Sequence, residues 1–272
     1  MLSLSLGPIA LPLAPVLLLI AIRGSSWLAS RLARQGADKV PGEQAGRTVT
    51  HAALLGLVAA RLATHLGSPV VIENRPGGAG VIGTAALLAT VVGSGIMGDA
   101  LSGGNDAIAL LANAGATAGM LYVLITVLGP ISGAHFNPVV TLVMRWQGVL
   151  STRDVFAYLL AQLIAAIIGV VIAHAMFDQA LLQPGTYARI GTAQRLSEGI
   201  ATTGLVLTIL LGLRARPNAI PALVASYIFA AYWFTASTSF ANPAGTVARA
   251  LTKSFAGIRP EDVIGFVIAQ IL

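Results

Sequence analysis

The chain has 272 residues, of which 56% are hydrophobic and only 10% are charged, whereas soluble domains carry about 25% charged residues. A soluble globule of this length would lack the polar side chains to cover its surface, so the composition excludes a single soluble domain and indicates an integral membrane protein. The net charge of +6 comes from basic residues scattered among apolar runs, which is typical of membrane topology signals and predicts no nucleic-acid partner. The chain has no Cys, which excludes thiolate metal sites and a cysteine nucleophile.

Residues 1–80 are predicted to form an N-terminal extension. Its apolar run over 7–22 predicts a helix in or on the membrane, with Arg23 directly after it on the cytoplasmic side. A more polar segment follows, in which Asp38, Glu43 and Glu73 form no evident catalytic pair. We therefore expect no enzyme activity from this extension.

Six membrane spans are predicted after the extension, at 80–98, 107–128, 155–177, 196–213, 218–236 and 262–272. The loops that carry Arg145, Arg153, Arg214 and Arg216 suit the cytoplasmic side. The 178–195 loop would then lie outside, although Arg189 and Arg195 fit the positive-inside rule less well. The sixth span has about eleven residues, which cover about half of the hydrocarbon core, so it is predicted to be truncated.

Two Asn-Pro motifs are the most informative feature of the sequence. Asn137-Pro138 and Asn242-Pro243 lie 105 residues apart and are each followed three residues after the Pro by Thr. Three predicted spans separate them, so the two copies face opposite sides of the membrane and form an inverted repeat. Asn caps a helix and Pro fits its first turn, so each motif predicts a half-helix whose N-terminus points to the membrane centre. One copy alone would more simply be a turn.

The paired motifs and the span pattern resemble the major intrinsic protein family, the aquaporins and aquaglyceroporins, over residues 81–272. The resemblance implies an all-α membrane fold of six spans and two half-helices, here preceded by the extra apolar helix. It also implies a homotetramer in the bacterial inner membrane that contacts lipid and small neutral solutes, with no cofactor and no metal site.

The resemblance assigns roles to residues position by position. The pore signature comprises Asn137, Pro138, Val139, Asn242, Pro243 and Ala244. Backbone carbonyls are expected to line the pore at Gly133, Ala134, His135, Thr238, Ser239 and Phe240. Glu198 matches a buried carboxylate that braces the second half-helix loop, whereas its counterpart in the first half falls at Gly80, which has no carboxylate.

The selectivity-filter positions of the family fall at Thr117, Ala230, Ser239 and Gly245. Neither an aromatic residue nor the usual Arg occupies them, so the resemblance predicts a wide, neutral aperture, as in a bacterial subgroup associated with arsenite. Arg249 lies one helical turn after Gly245, on the same face, and could supply the missing cation. In the alternative, Arg249 reaches the outer surface or pairs with Glu261 or Asp262.

The resemblance thus predicts a passive channel for small uncharged solutes, namely glycerol and water, with arsenous acid as a further candidate. The alternative is a non-conducting or defective membrane scaffold, formed by a truncated, mosaic chain. Solute flux through the reconstituted protein distinguishes the two.

Overall fold

The computed structural model describes residues 3–6, 9–12 and 78–272, and the chain divides into two units, Met1–Glu73 and Asn74–Leu272. In the first unit, β1 (Ser3–Leu6) pairs antiparallel with β2 (Ile9–Pro12). The helix predicted from residue 7 is therefore wrong over residues 9–12. Pro12 has no N–H to donate within a helix, whereas an edge strand tolerates it. Residues 7, 8 and 13–22 of that predicted helix lie outside the described residues.

Residues 78–272 contain helices as their regular elements. Four of them are long and apolar enough to cross a membrane and correspond to the first four predicted spans: α1 (Gly78–Leu101), α2 (Asp106–Ser132), α4 (Thr152–Met176) and α5 (Thr192–Ala215). Two shorter helices lie at the remaining predicted spans: α6 (Ile220–Phe234), which follows a 3₁₀ turn at Pro217–Ala219, and α8 (Pro260–Ile271). The half-helices are α3 (Pro138–Trp146) and α7 (Pro243–Arg249), and both begin at the predicted Pro.

The helices pack as two similar sets. In the first set α1 contacts α2 and α4, and in the second α5 contacts α6 and α8. The sets meet where α2 packs against α6 and where α3 contacts α7. The two half-helices are therefore held together by the packing of the two helix sets around them.

The crossing of α1 and α4 depends on small side chains. Ala165 and Ala166 of α4 are fully buried. A Cβ atom at Gly169 would lie 2.3 Å from the carbonyl oxygen of Ala85 and 2.9 Å from the Cβ of Leu88. Because the first of these neighbours is backbone, a side chain at residue 169 would force the two helices apart.

The close approach at Gly169 yields a first prediction. Gly169→Ala should lower the free energy of unfolding by about 1–3 kcal/mol, the usual cost of overpacking a close contact. Thermal unfolding of the purified protein in detergent measures this change. The matched control is Gly119→Ala in α2, because no atom lies within 4 Å of a Cβ at that position. Equal loss of stability in both variants would contradict the role of the α1–α4 crossing.

Candidate functional site

Two reciprocal hydrogen bonds join the N-terminal ends of the half-helices. Asn137 Nδ2 donates to the carbonyl oxygen of Ala241 at 2.6 Å, and Asn242 Nδ2 donates to that of Phe136 at 2.9 Å. Each Asn also caps its own half-helix, because its Oδ1 accepts from the backbone N–H of Val139 or Gly245. One amide side chain therefore orients its own half-helix and the opposite loop at the same time.

The backbone before each Asn takes the same unusual conformation in both halves. Gly133 and Ala134 have φ angles of 71° and 52°, and Thr238 and Ser239, at the equivalent positions, have 59° and 48°. Such left-handed angles are uncommon for residues other than Gly and cost about 1–3 kcal/mol each. Ala241 also has a positive φ of 46°, so the second loop has three strained residues, whereas the first has only Ala134 beside Gly133.

A cavity of about 150 Å³ lies along these loops. One water requires roughly 10–15 Å³, so this volume is about ten times larger. Its polar lining comes from both loops and from three helical side chains, and most of its remaining lining is aliphatic. Five of the six predicted carbonyl residues line it, together with the two signature Asn residues: Gly133, Ala134, His135, Asn137, Ser239, Phe240 and Asn242. Thr238 does not line the cavity, and its Oγ1 accepts from Arg189.

The other signature residues support the cavity from behind. Pro138 and Pro243 occupy the first position of α3 and α7, where a missing N–H is harmless. Val139 is 8% and Ala244 3% exposed, and neither lines the cavity. These four residues shape the half-helices, and the Asn side chains face the cavity.

Glu198 of α5 holds the second loop. Its Oε1 accepts from the N–H of Phe240 and its Oε2 from that of Ala241, both at 2.9 Å. Gln270 of α8 adds a third hydrogen bond to Oε2 at 2.6 Å. Because Glu198 is fully buried, these three donors satisfy a charge that would otherwise be costly in the protein interior.

The first loop is held by neutral groups instead. Gln162 of α4 donates to the carbonyl oxygen of His135 at 2.6 Å and to Thr141 Oγ1 at 2.9 Å. Its own Oε1 is buried without a hydrogen-bond partner. A Cβ at Gly80 would lie 3.9 Å from the carbonyl oxygen of His135, so the position faces this loop but supplies no acceptor. The two loops thus share their backbone geometry, but a carboxylate holds the second loop and a neutral amide holds the first.

Three of the four predicted filter positions line the cavity, namely Thr117, Ser239 and Gly245. The prediction of a filter position at Ala230 is wrong, because Ala230 is exposed and does not line the cavity. Tyr232, two residues later in α6, lines it instead and lies 3.3 Å from Thr117, hydroxyl to hydroxyl. An aromatic side chain therefore lines the cavity beside Thr117, at a position that the four predicted filter positions did not include.

Arg249 also lines the cavity, and it is 4% exposed. Its Nε donates to the carbonyl oxygen of Ala256, and its Cζ lies 3.2 Å from the centroid of the Phe240 ring. The alternative of a surface residue paired with Asp262 does not hold, because Asp262 pairs with Arg259 at 3.1 Å. The aperture contains a cation, so it is not neutral.

Arg189 was not predicted as a site residue. It lies in the loop between α4 and α5, yet it is 6% exposed and donates to the carbonyl oxygens of Ser237 and Gly257, both at 3.0 Å. The signal in the sequence was its misfit to the positive-inside rule. An arginine on the disfavoured side of a membrane protein is a reason to look for a buried partner.

The contacts of Glu198 yield a second prediction. Glu198→Gln should lower the free energy of unfolding by about 3 kcal/mol, because the amide nitrogen would face a backbone N–H that has lost its acceptor. Denaturant unfolding in detergent measures the loss. Glu261→Gln is the control, since Glu261 is an exposed carboxylate, and it should unfold like the parent protein. A loss below about 1 kcal/mol for Glu198→Gln would refute the bracing role.

The comparison with known proteins agrees with this geometry. The sequence pattern of the major intrinsic protein family matches residues 74–235, which include the first Asn-Pro signature. The aquaglyceroporin AqpS of Rhizobium meliloti (strain 1021) is 57% identical over 191 residues, which cover 70% of this chain and 82% of the relative.

Two more distant relatives cover smaller parts. Aquaporin PIP2-1 of Arabidopsis thaliana is 34% identical over 44% of this chain and 42% of its own length. The glycerol uptake facilitator protein of Bacillus subtilis (strain 168) is 30% identical over 47% of this chain and 52% of its own length. The predicted resemblance is confirmed, and this integral bacterial membrane protein belongs to the major intrinsic protein family.

Proposed function

We propose that this protein is a passive transmembrane channel for small uncharged solutes such as glycerol. The observation that carries the proposal is the cavity, which has a polar lining, formed by the two loops and a few helical side chains, and an otherwise mostly aliphatic lining. A polyol has the same division, with hydroxyl groups that need hydrogen-bond partners and a carbon backbone that does not. The names of the aquaglyceroporin from Rhizobium meliloti and the glycerol uptake facilitator from Bacillus subtilis support this solute class.

The electrostatics of the half-helices support the exclusion of cations and protons. The N-termini of α3 and α7 meet through the Asn137 and Asn242 hydrogen bonds, so two positive dipole ends adjoin near the middle of the cavity. A neutral solute can accept hydrogen bonds there, whereas a cation is repelled.

The complete architecture of the proposed channel has six crossings. We assign the fifth and sixth to α6 and α8, which have 15 and 12 residues, about 22 and 18 Å of helix. In this arrangement α3 enters from the cytoplasmic side and α7 from the outside. A homotetramer with one pore in each subunit completes the proposal.

Water and arsenous acid are the further solutes that we propose. Both are small and uncharged, and arsenous acid carries hydroxyl groups like those of a polyol. The chain has no Cys, so no thiolate would retain arsenic on its way through the pore. Weak, exchangeable contacts are what permeation requires.

The test is solute flux through purified protein reconstituted in liposomes. The parent protein should raise the rate of glycerol uptake well above that of empty liposomes. Asn137→Asp should reduce this rate at least about tenfold, because the carboxylate keeps the helix cap but cannot donate to Ala241, and the loss of that buried bond costs about 1–3 kcal/mol.

The control for this test is Asn105→Asp. Asn105 caps α2 at an exposed loop through the N–H groups of Ala107 and Ile108, and Asp caps a helix equally well. Its glycerol flux should match that of the parent. Parent liposomes that take up glycerol no faster than empty ones would favour the scaffold alternative.

A further prediction concerns the size limit at Arg249. Arg249→Ala should raise the permeation of polyols larger than glycerol several-fold, because it removes a long side chain that lines the cavity. Arg249→Lys should stay closer to the parent, since it keeps the charge on a long side chain although it loses the planar guanidinium. Uptake of polyols of increasing length, each relative to glycerol, measures the limit. An unchanged limit in Arg249→Ala would remove this residue from the filter.

A further inference from the structure

The loop between α4 and α5 is fixed to the segment that follows α7. The N–H groups of Gln183 and Gly185 donate to the carbonyl oxygens of Leu251 and Ala250 at 3.0 and 2.8 Å. Gly185 allows this close approach, because a Cβ there would lie 1.9 Å from the carbonyl oxygen of Ile258. Four residues after Gly185, the same loop places Arg189 against Phe240. Arg249, at the C-terminal end of α7, contacts the same ring.

The guanidinium of Arg189 is held by neutral groups. Its Nε and Nη1 donate to the carbonyl oxygens of Gly257 and Ser237, and Nη1 lies 3.3 Å from Thr238 Oγ1. Its Cζ lies 4.6 Å from the centroid of the Phe240 ring. Within residues 78–272, its hydrogen-bond acceptors include no carboxylate, so its charge is not cancelled by an ion pair.

The nearby carboxylates accept hydrogen bonds from groups other than the Arg189 guanidinium. Asp262 accepts from the backbone N–H of Arg189 and from the side chain of Arg259. Glu198 accepts from two backbone N–H groups and from Gln270.

Two guanidinium groups therefore share one aromatic ring. Phe240 lines the cavity, and both Arg189 and Arg249 lie against it, at 4.6 and 3.2 Å from its centroid. Gly245, the position directly after the second Asn-Pro-Ala, contributes no charge. Arg249, the last residue of α7, lines the cavity, whereas Arg189 does not line it and lies against the Phe240 ring.

The first half of the molecule shows that a hydrogen bond to the carbonyl oxygen at this position does not require a charged donor such as Arg189. Ser132 is the equivalent of Ser237, 105 residues earlier. Its carbonyl oxygen accepts from the hydroxyl of Tyr158 at 3.2 Å. A neutral donor satisfies one carbonyl and an arginine the other, so the arginine brings something beyond a hydrogen bond.

We propose that Arg189 is a positioning residue for the loop segment 237–240, and that the positive charge of Arg189, together with that of Arg249, excludes cations from the outer end of the cavity. This inference rests on the proposed channel function. Burial lowers the pKa of Arg189 to about 10, with nearby Glu198 raising it, so the group stays charged at neutral pH. The charge acts on a permeating cation from beside Phe240.

The experiment places a carboxylate beside the guanidinium without removing it. Thr238→Asp neutralises Arg189 locally, and Asp tolerates the left-handed backbone at this position. Thr238→Asn is the matched neutral variant. Each protein is reconstituted in liposomes, and the leak of K⁺ and protons is measured relative to glycerol flux in the same vesicles.

The leak ratio of Thr238→Asp should exceed that of Thr238→Asn at least about tenfold. At an effective dielectric constant of about 20, cancelling a unit charge within about 10 Å of a cation changes the probability of finding the cation there more than about tenfold. Equal ratios would overturn the proposal.

A second pair of variants tests the charge directly. Arg189→Met should raise the leak ratio and Arg189→Lys should restore exclusion, whereas Arg195→Met, at an exposed arginine near the same loop, should match the parent. Equal leaks in Arg189→Met and Arg189→Lys would show that geometry alone matters and would overturn the role of the charge. If the parent passes no glycerol but the absolute cation leak still rises in Thr238→Asp, only the proposed solute function fails.

Discussion

The reciprocal pair of hydrogen bonds between Asn137 and Ala241 and between Asn242 and Phe136 is the constraint on which the rest of the site depends. It fixes the separation of the two half-helices and turns both loops toward the cavity. The left-handed residues before each Asn remain strained only because these bonds and the caps hold them. The helices outside the pair, and the small residues where α1 crosses α4, serve to bring these two loops together.

Much of this arrangement follows from local sequence. Asn before Pro specifies a cap followed by a first helical turn, so the starts of α3 and α7 could be predicted to the residue. Apolar runs of about twenty residues predicted the four long helices, because a segment in lipid must satisfy its backbone hydrogen bonds internally and a helix does so. The two strands at the N-terminus were missed, because an apolar run that contains Pro has no single conformation dictated by its composition.

The filter shows where local reasoning ends. Counting positions along α6 pointed to Ala230, but the direction of a side chain depends on the rotation of the helix, and this rotation places Tyr232 at the cavity. Arg189 reaches the site through backbone bonds from its loop to residues more than sixty positions later. Such contacts depend on the tertiary fold, and no spacing rule within the loop encodes them.

The pairing of the two asparagines also bears on how the chain is made. The amide of Asn137 waits for an acceptor that lies 104 residues later, so during synthesis the first half enters the membrane with this donor unsatisfied. A buried, unpaired amide is costly, and the first loop cannot settle until the second arrives. The two halves therefore mature together, and the membrane-insertion machinery must keep the earlier one accommodated until the second loop has been made.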